Sequence, residues 1–207
     1  MPSIWADYSE VYQSIIKSVA VLMEKKQILI NTELVLDCSA VMVEPFDGKT
    51  KFDVAKDVIQ NILSSEAAEN DNLAFRKYGG PCEGENNWLI VKFSTNNEQQ
   101  ILKALKNTTI IGEATLVDAV IEATGDFNDI KQFRGVNKRI IVITGSNESC
   151  MRNSINSMQR RLEARRNESD RIELSFRFIG LGISHVLKER LIEIAKATGG
   201  RFSNFFY

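Results

Sequence analysis

The stretch TELVLDCSAVMV, residues 32–43, decides how the rest of the chain is read. Leu34, Val35 and Leu36 form a short unbroken apolar run, the pattern of a strand buried on both faces, and the run stops abruptly at Asp37-Cys38-Ser39. In an open α/β sheet, ligands bind in the crevice outside the carboxyl ends of the strands, so a carboxylate and a hydroxyl at this point are placed to hold something. Taken alone, Asp37 and Ser39 serve equally well as caps of a loop.

Working outward, RIIVIT at 139–144 is a second continuous apolar run and a second candidate for the sheet centre. Residues 73–78 and 88–93 are two further runs separated by GGPCEGENN, a turn-rich loop that suits a long hairpin and makes one strand antiparallel. Phe52, Ala55, Val58, Ile59 and Ile62 mark a helix over residues 51–64, and Leu116, Ala119, Val120 and Ala123 mark another. Ile101, Leu102 and Leu105 lie on a short helix, and Ile155, Met158 and Leu162 give a further helix only a thin seam. Ile172, Leu174, Phe176 and Phe178 alternate with polar residues, as in a less buried strand. Ser184 caps a last helix that stops at Gly199-Gly200, and residues 201–207 form an edge strand. Strands separated by helices, with one hairpin, predict an α/β fold. It is a Rossmann-like open sheet, mostly parallel, with one antiparallel edge hairpin strand and helices on both faces.

Ahead of this unit, Tyr8, Val11, Tyr12, Ile15, Ile16, Val19 and Leu22 recur at three- and four-residue spacing, so residues 9–26 are an amphipathic helix. We therefore divide the chain into an extra N-terminal helix at 1–27 and the α/β domain at 28–207. The apolar stripe of that helix buries either against the flank of the domain or against a neighbouring segment or subunit.

The 207 residues are 43% hydrophobic and 26% charged, enough for one domain with a substantial core. Basic and acidic residues balance at 26 and 27, which argues against nucleic acid or an anionic membrane as partner. No apolar run approaches membrane-spanning length, and MPSIWADYSE lacks the basic start and apolar block of a secretory signal. The expectation is a soluble, cytoplasmic protein, although a domain cut from a larger chain would read the same.

Asp37-Cys38-Ser39-Ala40-Val41-Met42 resembles the D-x-S-x-S loop of von Willebrand factor A domains, in which it opens a metal-ion-dependent adhesion site. The resemblance continues in residues 47–56, 112–119 and 197–202, and so spans about 28–205. It implies a metal held by an aspartate and two serines of the first loop, a threonine of the second and an aspartate of the third. Asp37 and Ser39 match. Val41 replaces the second serine, Ala114 takes the threonine position with Thr115 one place along, and Gly145 follows Thr144 where the second aspartate belongs. A dication held by a single protein carboxylate has little charge compensation, so the metal site reads as degenerate. Glu113 and Glu148 lie in the right loops, either to lend an oxygen or as solvated carboxylates.

The resemblance thus implies a non-enzymatic protein-interaction module with no cofactor. The alternative is a Mg²⁺-dependent adhesion module using Asp37, Ser39 and Thr115. The expected partner is a protein, either a separate one or another domain or subunit of the same assembly. It would dock on a rim made of Glu44, Phe46, Asp47, Glu113, Thr115, Gly145 and Glu148, over a floor of Val41, Ala114 and Gly145. Phe46 either anchors the partner or folds back onto its own domain.

Rival chemistries have weaker support. A hydrolase could be assembled from Ser39, His185 and Asp37, but there is no G-x-S-x-G elbow, and His185 follows a capping serine at a helix start. Gly180-Leu181-Gly182 is too little for a dinucleotide site, and the arginines between 152 and 171 are interspersed with acids, as on a solvated helix face. Of the three cysteines, Cys38, Cys82 and Cys150, none has zinc spacing. Some bacterial members of the family carry cysteines near the places of Cys82 and Cys150. That leaves open either a bridge between them or free thiols in a reducing compartment.

Overall fold

A computed structural model describes residues 30–64, 71–127, 137–150, 154–168 and 174–205. The helix expected at 9–26, and with it the division at residue 27, lies outside these residues, as does Ile172. In chain order the elements are β1 (Ile30–Asp37), a 3-10 turn (Ala40–Val43), β2 (Pro45–Phe46), β3 (Lys49–Thr50), α1 (Lys51–Leu63), β4 (Asn72–Tyr78), β5 (Asn87–Ser94) and α2 (Glu98–Lys106). There follow α3 (Leu116–Gly125), β6 (Asn137–Thr144), α4 (Ile155–Glu168), β7 (Leu174–Leu181), α5 (His185–Ala197) and β8 (Arg201–Phe205).

Six strands form one sheet in the order β5-β4-β1-β6-β7-β8, with β1 and β6 side by side in its middle. All neighbours are parallel except β5, which runs antiparallel to β4 at one edge, while β8 closes the other. The reason β1 reads as an unbroken apolar run is now geometric. Leu34 and Leu36 point into a core shared with α1 and α2, and Val35 points into a second core shared with α3, α4 and α5. β6 alternates in the same way, with Ile141 and Ile143 on the first face and Ile140 and Val142 on the second.

The helix boundaries follow local chemistry. Thr50 caps α1 by accepting the Asp53 N–H at 3.1 Å, and Ser184 caps α5 by accepting the Leu187 N–H at 3.2 Å. The short β2–β3 hairpin, which the sequence reading treated as loop, turns on Asp47 and Gly48, both at positive φ (50° and 73°). An Asp-Gly pair is what such a two-residue turn selects. No helix among the described residues is long and apolar enough to cross a membrane.

The amino half of β1 was not anticipated. Asn31, Thr32 and Glu33 are polar yet fully buried. They are matched across the sheet: Asn72 donates to Asn31 at 2.8 Å, Thr32 donates to Asp71 at 3.1 Å, and Arg139 pairs with Asp71 at 2.7 Å. Arg76 pairs with Glu33 at 2.9 Å and also reaches Asp126 and Asn87. The sheet therefore has an apolar middle and an ionic amino end, leaving the carboxyl end for the loops.

Candidate functional site

At the carboxyl end of β1 the Asp37 carboxylate is saturated by its own surroundings. Oδ1 accepts the Ser39 N–H at 2.9 Å; Oδ2 accepts the Ser146 hydroxyl at 2.5 Å, the Gly145 N–H at 3.1 Å and the Thr144 hydroxyl at 3.2 Å. Since Ser146 gives its proton to Asp37, the Ser39 hydroxyl, 3.2 Å from it, is the donor between the two serines. Asp37 and Ser39 are fully buried. Cys38 between them is buried too, and burial pushes its thiol well above the ordinary range, so it is no reactive nucleophile.

One peptide away lies a cation that the sequence reading did not nominate. Lys51, the first residue of α1, has a side chain only 7% exposed; its ammonium donates to the Gly145 carbonyl at 2.8 Å and pairs with Glu44 at 2.7 Å. Gly145 makes room for it. A Cβ there would lie 2.5 Å from Met42 Sδ and 2.9 Å from Lys51 Cδ.

The neighbouring loops are tied into one layer. Ala40 N–H donates to Gly112 O (2.9 Å) and Ile111 N–H to Cys38 O (2.7 Å); Gly80 and Glu113 bond reciprocally (3.1 and 2.8 Å), and Ser149 N–H donates to Ala114 O (3.0 Å). Gly112, at φ 57°, lies so close to Gly80 that a Cβ would be 2.5 Å from its Cα. Cys82 and Cys150 form a disulfide, Cα–Cα 5.4 Å, fastening the β4–β5 loop to the loop after β6. Of the two dispositions left open for these cysteines, the molecule adopts the bridge.

Thr115 and Glu148 are both engaged in holding the loops. The Thr115 hydroxyl is buried and donates to Asn86 O at 3.0 Å, giving no cap to α3. Glu148 supplies the cap from another loop, its carboxylate accepting Val117 N–H at 2.8 Å and Cys150 N–H at 3.0 Å. It is thus not a solvated loop carboxylate. Burial outweighs those two hydrogen bonds and raises its pKa from 4.5 to about 6. Because the folded value lies above the unfolded one, this group contributes stability that is present below pH 4.5 and lost as pH rises through 6. A carboxyl resonance of Glu148 titrating near 6 is expected; a midpoint near 4 would show that the loop stands open.

A cavity of about 350 Å³ opens at this edge, lined mostly by polar groups including Lys51, Glu44, Ser146, Asn147 and Ser184. Val41 and Gly145 border it, but Ala114, expected in the floor, does not. Phe46 takes the second of its two dispositions: half-buried, it packs on the first core, and its ring would be 3.4 Å from a Cβ on Gly182. Glu113 and Asp47 are exposed. Among the described residues, the large apolar side chains left exposed at the same edge are Val43 (57%) and Val186 (74%), neither chosen from the sequence.

The sequence pattern of the von Willebrand factor type A domain matches residues 32–148, more than half of the chain, with Asp37, Ser39, Lys51, Gly145 and Glu148 among them. The chain belongs to the von Willebrand factor type A domain family. The VWA domain of SpRpn10 matches with a TM-score of 0.66 at 16% identity, covering 86% of this chain and 88% of that one. The pilus adhesin SpaC from Lactobacillus rhamnosus GG matches at 0.68 and 11% identity over 87% of this chain and 29% of its own, so the chain spans under a third of that protein. Manganese-loaded TRAP protein from Plasmodium vivax matches at 0.60 and 17% identity, covering 86% and 68%. At such identities the likeness is one of fold. No curated protein matches the sequence.

The cation that the von Willebrand factor A fold implies does not fit the donors present here. Asp37 already accepts four hydrogen bonds, Val41 has no oxygen, the Thr115 hydroxyl is committed to Asn86, and an ammonium lies against Gly145 where a second carboxylate would have to stand. Among the described residues no cluster of three His, Cys, Asp or Glu could hold a metal. The Ser39–His185–Asp37 arrangement is also not assembled: the His185 side chain is 82% exposed, 3.9 Å from Glu189, while Ser39 bonds Ser146. A serine without a base in contact is not an activated nucleophile.

Proposed function

We propose that this von Willebrand factor A domain is a non-enzymatic protein-interaction module whose carboxyl-edge rim docks a protein partner without a bridging divalent cation. The observation that supports this most is the Lys51 ammonium on Gly145 beside a carboxylate already saturated by four donors. A fixed positive charge stands next to the place where a dication would bind, and repels it. Val43 and Val186, exposed on a rim held by hydrogen bonds and a disulfide, are the apolar anchors, with Glu44, Phe46, Asp47, Glu113, Gly145 and Glu148 around them. The disulfide also argues for an oxidising compartment in place of the cytoplasm expected from the sequence.

Two measurements test this. Millimolar Mg²⁺, Mn²⁺ or Ca²⁺ should leave the melting temperature unchanged, whereas a site with Kd of about 10 μM would add roughly 2.7 kcal/mol at 1 mM. A rise of several degrees that Asp37→Ala abolishes would replace this reading with the Mg²⁺-dependent one. Capture of the native partner by the intact chain should persist in EDTA and fall in a Val43→Asp, Val186→Asp variant. Loss of capture in EDTA would return the cation to the mechanism.

A further inference from the structure

The cavity at the carboxyl edge holds a charge that its walls satisfy only in part. An ammonium has three protons to donate, and Lys51 spends two of them, on Glu44 Oε2 at 2.7 Å and on the Gly145 carbonyl at 2.8 Å. Among the described residues the third has no acceptor. The loop beside it carries further unused donors. The backbone N–H groups of Ser146, Asn147 and Glu148, all lining residues, bond to nothing among the described residues. Neither does the Asn147 side-chain NH2, whose oxygen accepts the Ser184 hydroxyl at 2.7 Å. Successive unpaired N–H groups next to a cation make a concavity suited to an anion.

Glu44 shows which anion fits. Its side chain is 55% exposed against 7% for Lys51, so the pair joins a carboxylate in solvent to a cation in the wall. The Glu44 backbone is pinned, its N–H on Val41 O at 3.1 Å and its carbonyl on the Lys51 N–H at 3.0 Å, and rotation of the side chain alone withdraws the carboxylate. An ion pair open to solvent on one side is worth little, so withdrawal is cheap as long as the ammonium keeps a counter-charge. Left with the Gly145 carbonyl alone, that desolvated ammonium would be strongly disfavoured. Whatever takes the place of Glu44 must therefore bring one negative charge and an acceptor oxygen. Glu148, the other acid of the cavity, does not compete for Lys51, since the Val117 and Cys150 N–H groups hold its two oxygens.

We propose that this cavity is a carboxylate receptor for the docking partner, in which an aspartate or glutamate side chain of that protein displaces Glu44 from the Lys51 ammonium. The inference rests on docking at this edge without a divalent cation. Glu44 is then an internal stand-in that keeps the buried ammonium paired while the site is empty, and the partner has to compete with it. Val43 adjoins Glu44, and Val186 follows Ser184 by two residues, so the two exposed valines border the cavity. They suit apolar residues on either side of the partner's acid.

The test titrates the full chain in EDTA with the capped peptide Ac-Leu-Asp-Leu-NH2 and, as control, Ac-Leu-Asn-Leu-NH2, following the amide resonances of Gly145, Ser146 and Asn147. The aspartate peptide is expected to bind about tenfold tighter than the asparagine one. Glu44→Gln removes the competitor and should tighten the aspartate peptide by about three- to fivefold. Lys51→Met should abolish the preference for aspartate. Should that variant fold poorly, Glu44→Gln decides by itself, since displacement requires tighter binding and a purely structural ion pair does not. Equal affinity for the two peptides, or affinity that Glu44→Gln leaves unchanged or lowers, overturns the inference. Capture of the native partner separates that failure from failure of cation-free docking. Capture that persists in EDTA, with no preference between the peptides, removes the carboxylate receptor alone. Capture and preference that both return only with Mg²⁺ and vanish in Asp37→Ala remove the two together.

Discussion

Arg76→Met is expected to cost the fold about 3–5 kcal/mol, a fall in melting temperature on the order of 10 °C. The guanidinium lies between two carboxyls, Glu33 at 2.9 Å and Asp126, and also reaches Asn87, with its side chain only 6% exposed. Burial raises the Glu33 pKa well above the ordinary range, the charge on Asp126 adds to that, and Arg76 opposes it. Glu33 Oε2 has no hydrogen-bond partner. Without the arginine, buried Glu33 and half-buried Asp126 face one another with no cation between them, and the charge they share loses its partner.

The same reasoning predicts an asymmetry. Glu33→Gln keeps the shape and resembles the protonated form that burial already favours, so it should change stability by less than about 1 kcal/mol. A raised folded pKa means that Glu33 contributes stability present below its unfolded value of 4.5 and lost as pH rises through the folded value. The Glu33→Gln variant should therefore have a flatter stability profile above pH 4.5. Denaturant melts of both variants from pH 4 to 8 decide the matter. Equal losses in the two would mean that the network is held by shape and not by charge.

Breaking the disulfide is the second large effect. Cys82 and Cys150 are 68 residues apart, and a loop of that length raises the entropy of the unfolded chain enough to cost up to about 4 kcal/mol when the link is cut. The loss should also be local. The loop after β6 carries Glu148, which caps α3 through Val117 N–H, and Ser149, which bonds Ala114 O. Hydrogen exchange at Val117 and Cys150 should quicken on reduction before the sheet opens, since capped loops unfold at lower free energy than the core. Alkylation in the unfolded, unreduced chain should modify Cys38 alone. A melting temperature unmoved by a reductant that demonstrably frees both thiols would mean that the hydrogen bonds alone hold the rim together.

The order of strands and helices, the antiparallel hairpin, the cap at Ser184 and the stop at Gly199 could all be read from residues 30–205 because each depends on neighbours within a few positions. A two-sided strand needs an unbroken apolar run, a helix needs a stripe, and a terminus needs a cap or a glycine. The family followed from the same local evidence, since Asp37 and Ser39 stand at the end of one strand.

What only the tertiary structure decided are the partners that lie far apart in the chain. Lys51 looked like the first residue of a helix, and its ammonium proves to lie on Gly145, 94 positions away. Glu33 is a polar residue within a strand, and it is buried beside Arg76, 43 positions on, which comes alongside it in the next strand. Thr115 gives its hydroxyl to Asn86, and Glu148 takes over the cap that Thr115 leaves unmade. Hydrophobic burial is nearly non-directional and writes a period into the sequence, so it can be read from one segment alone. A hydrogen bond or ion pair needs a particular donor at a particular distance, and that pairing exists only once the strands have taken their order in the sheet.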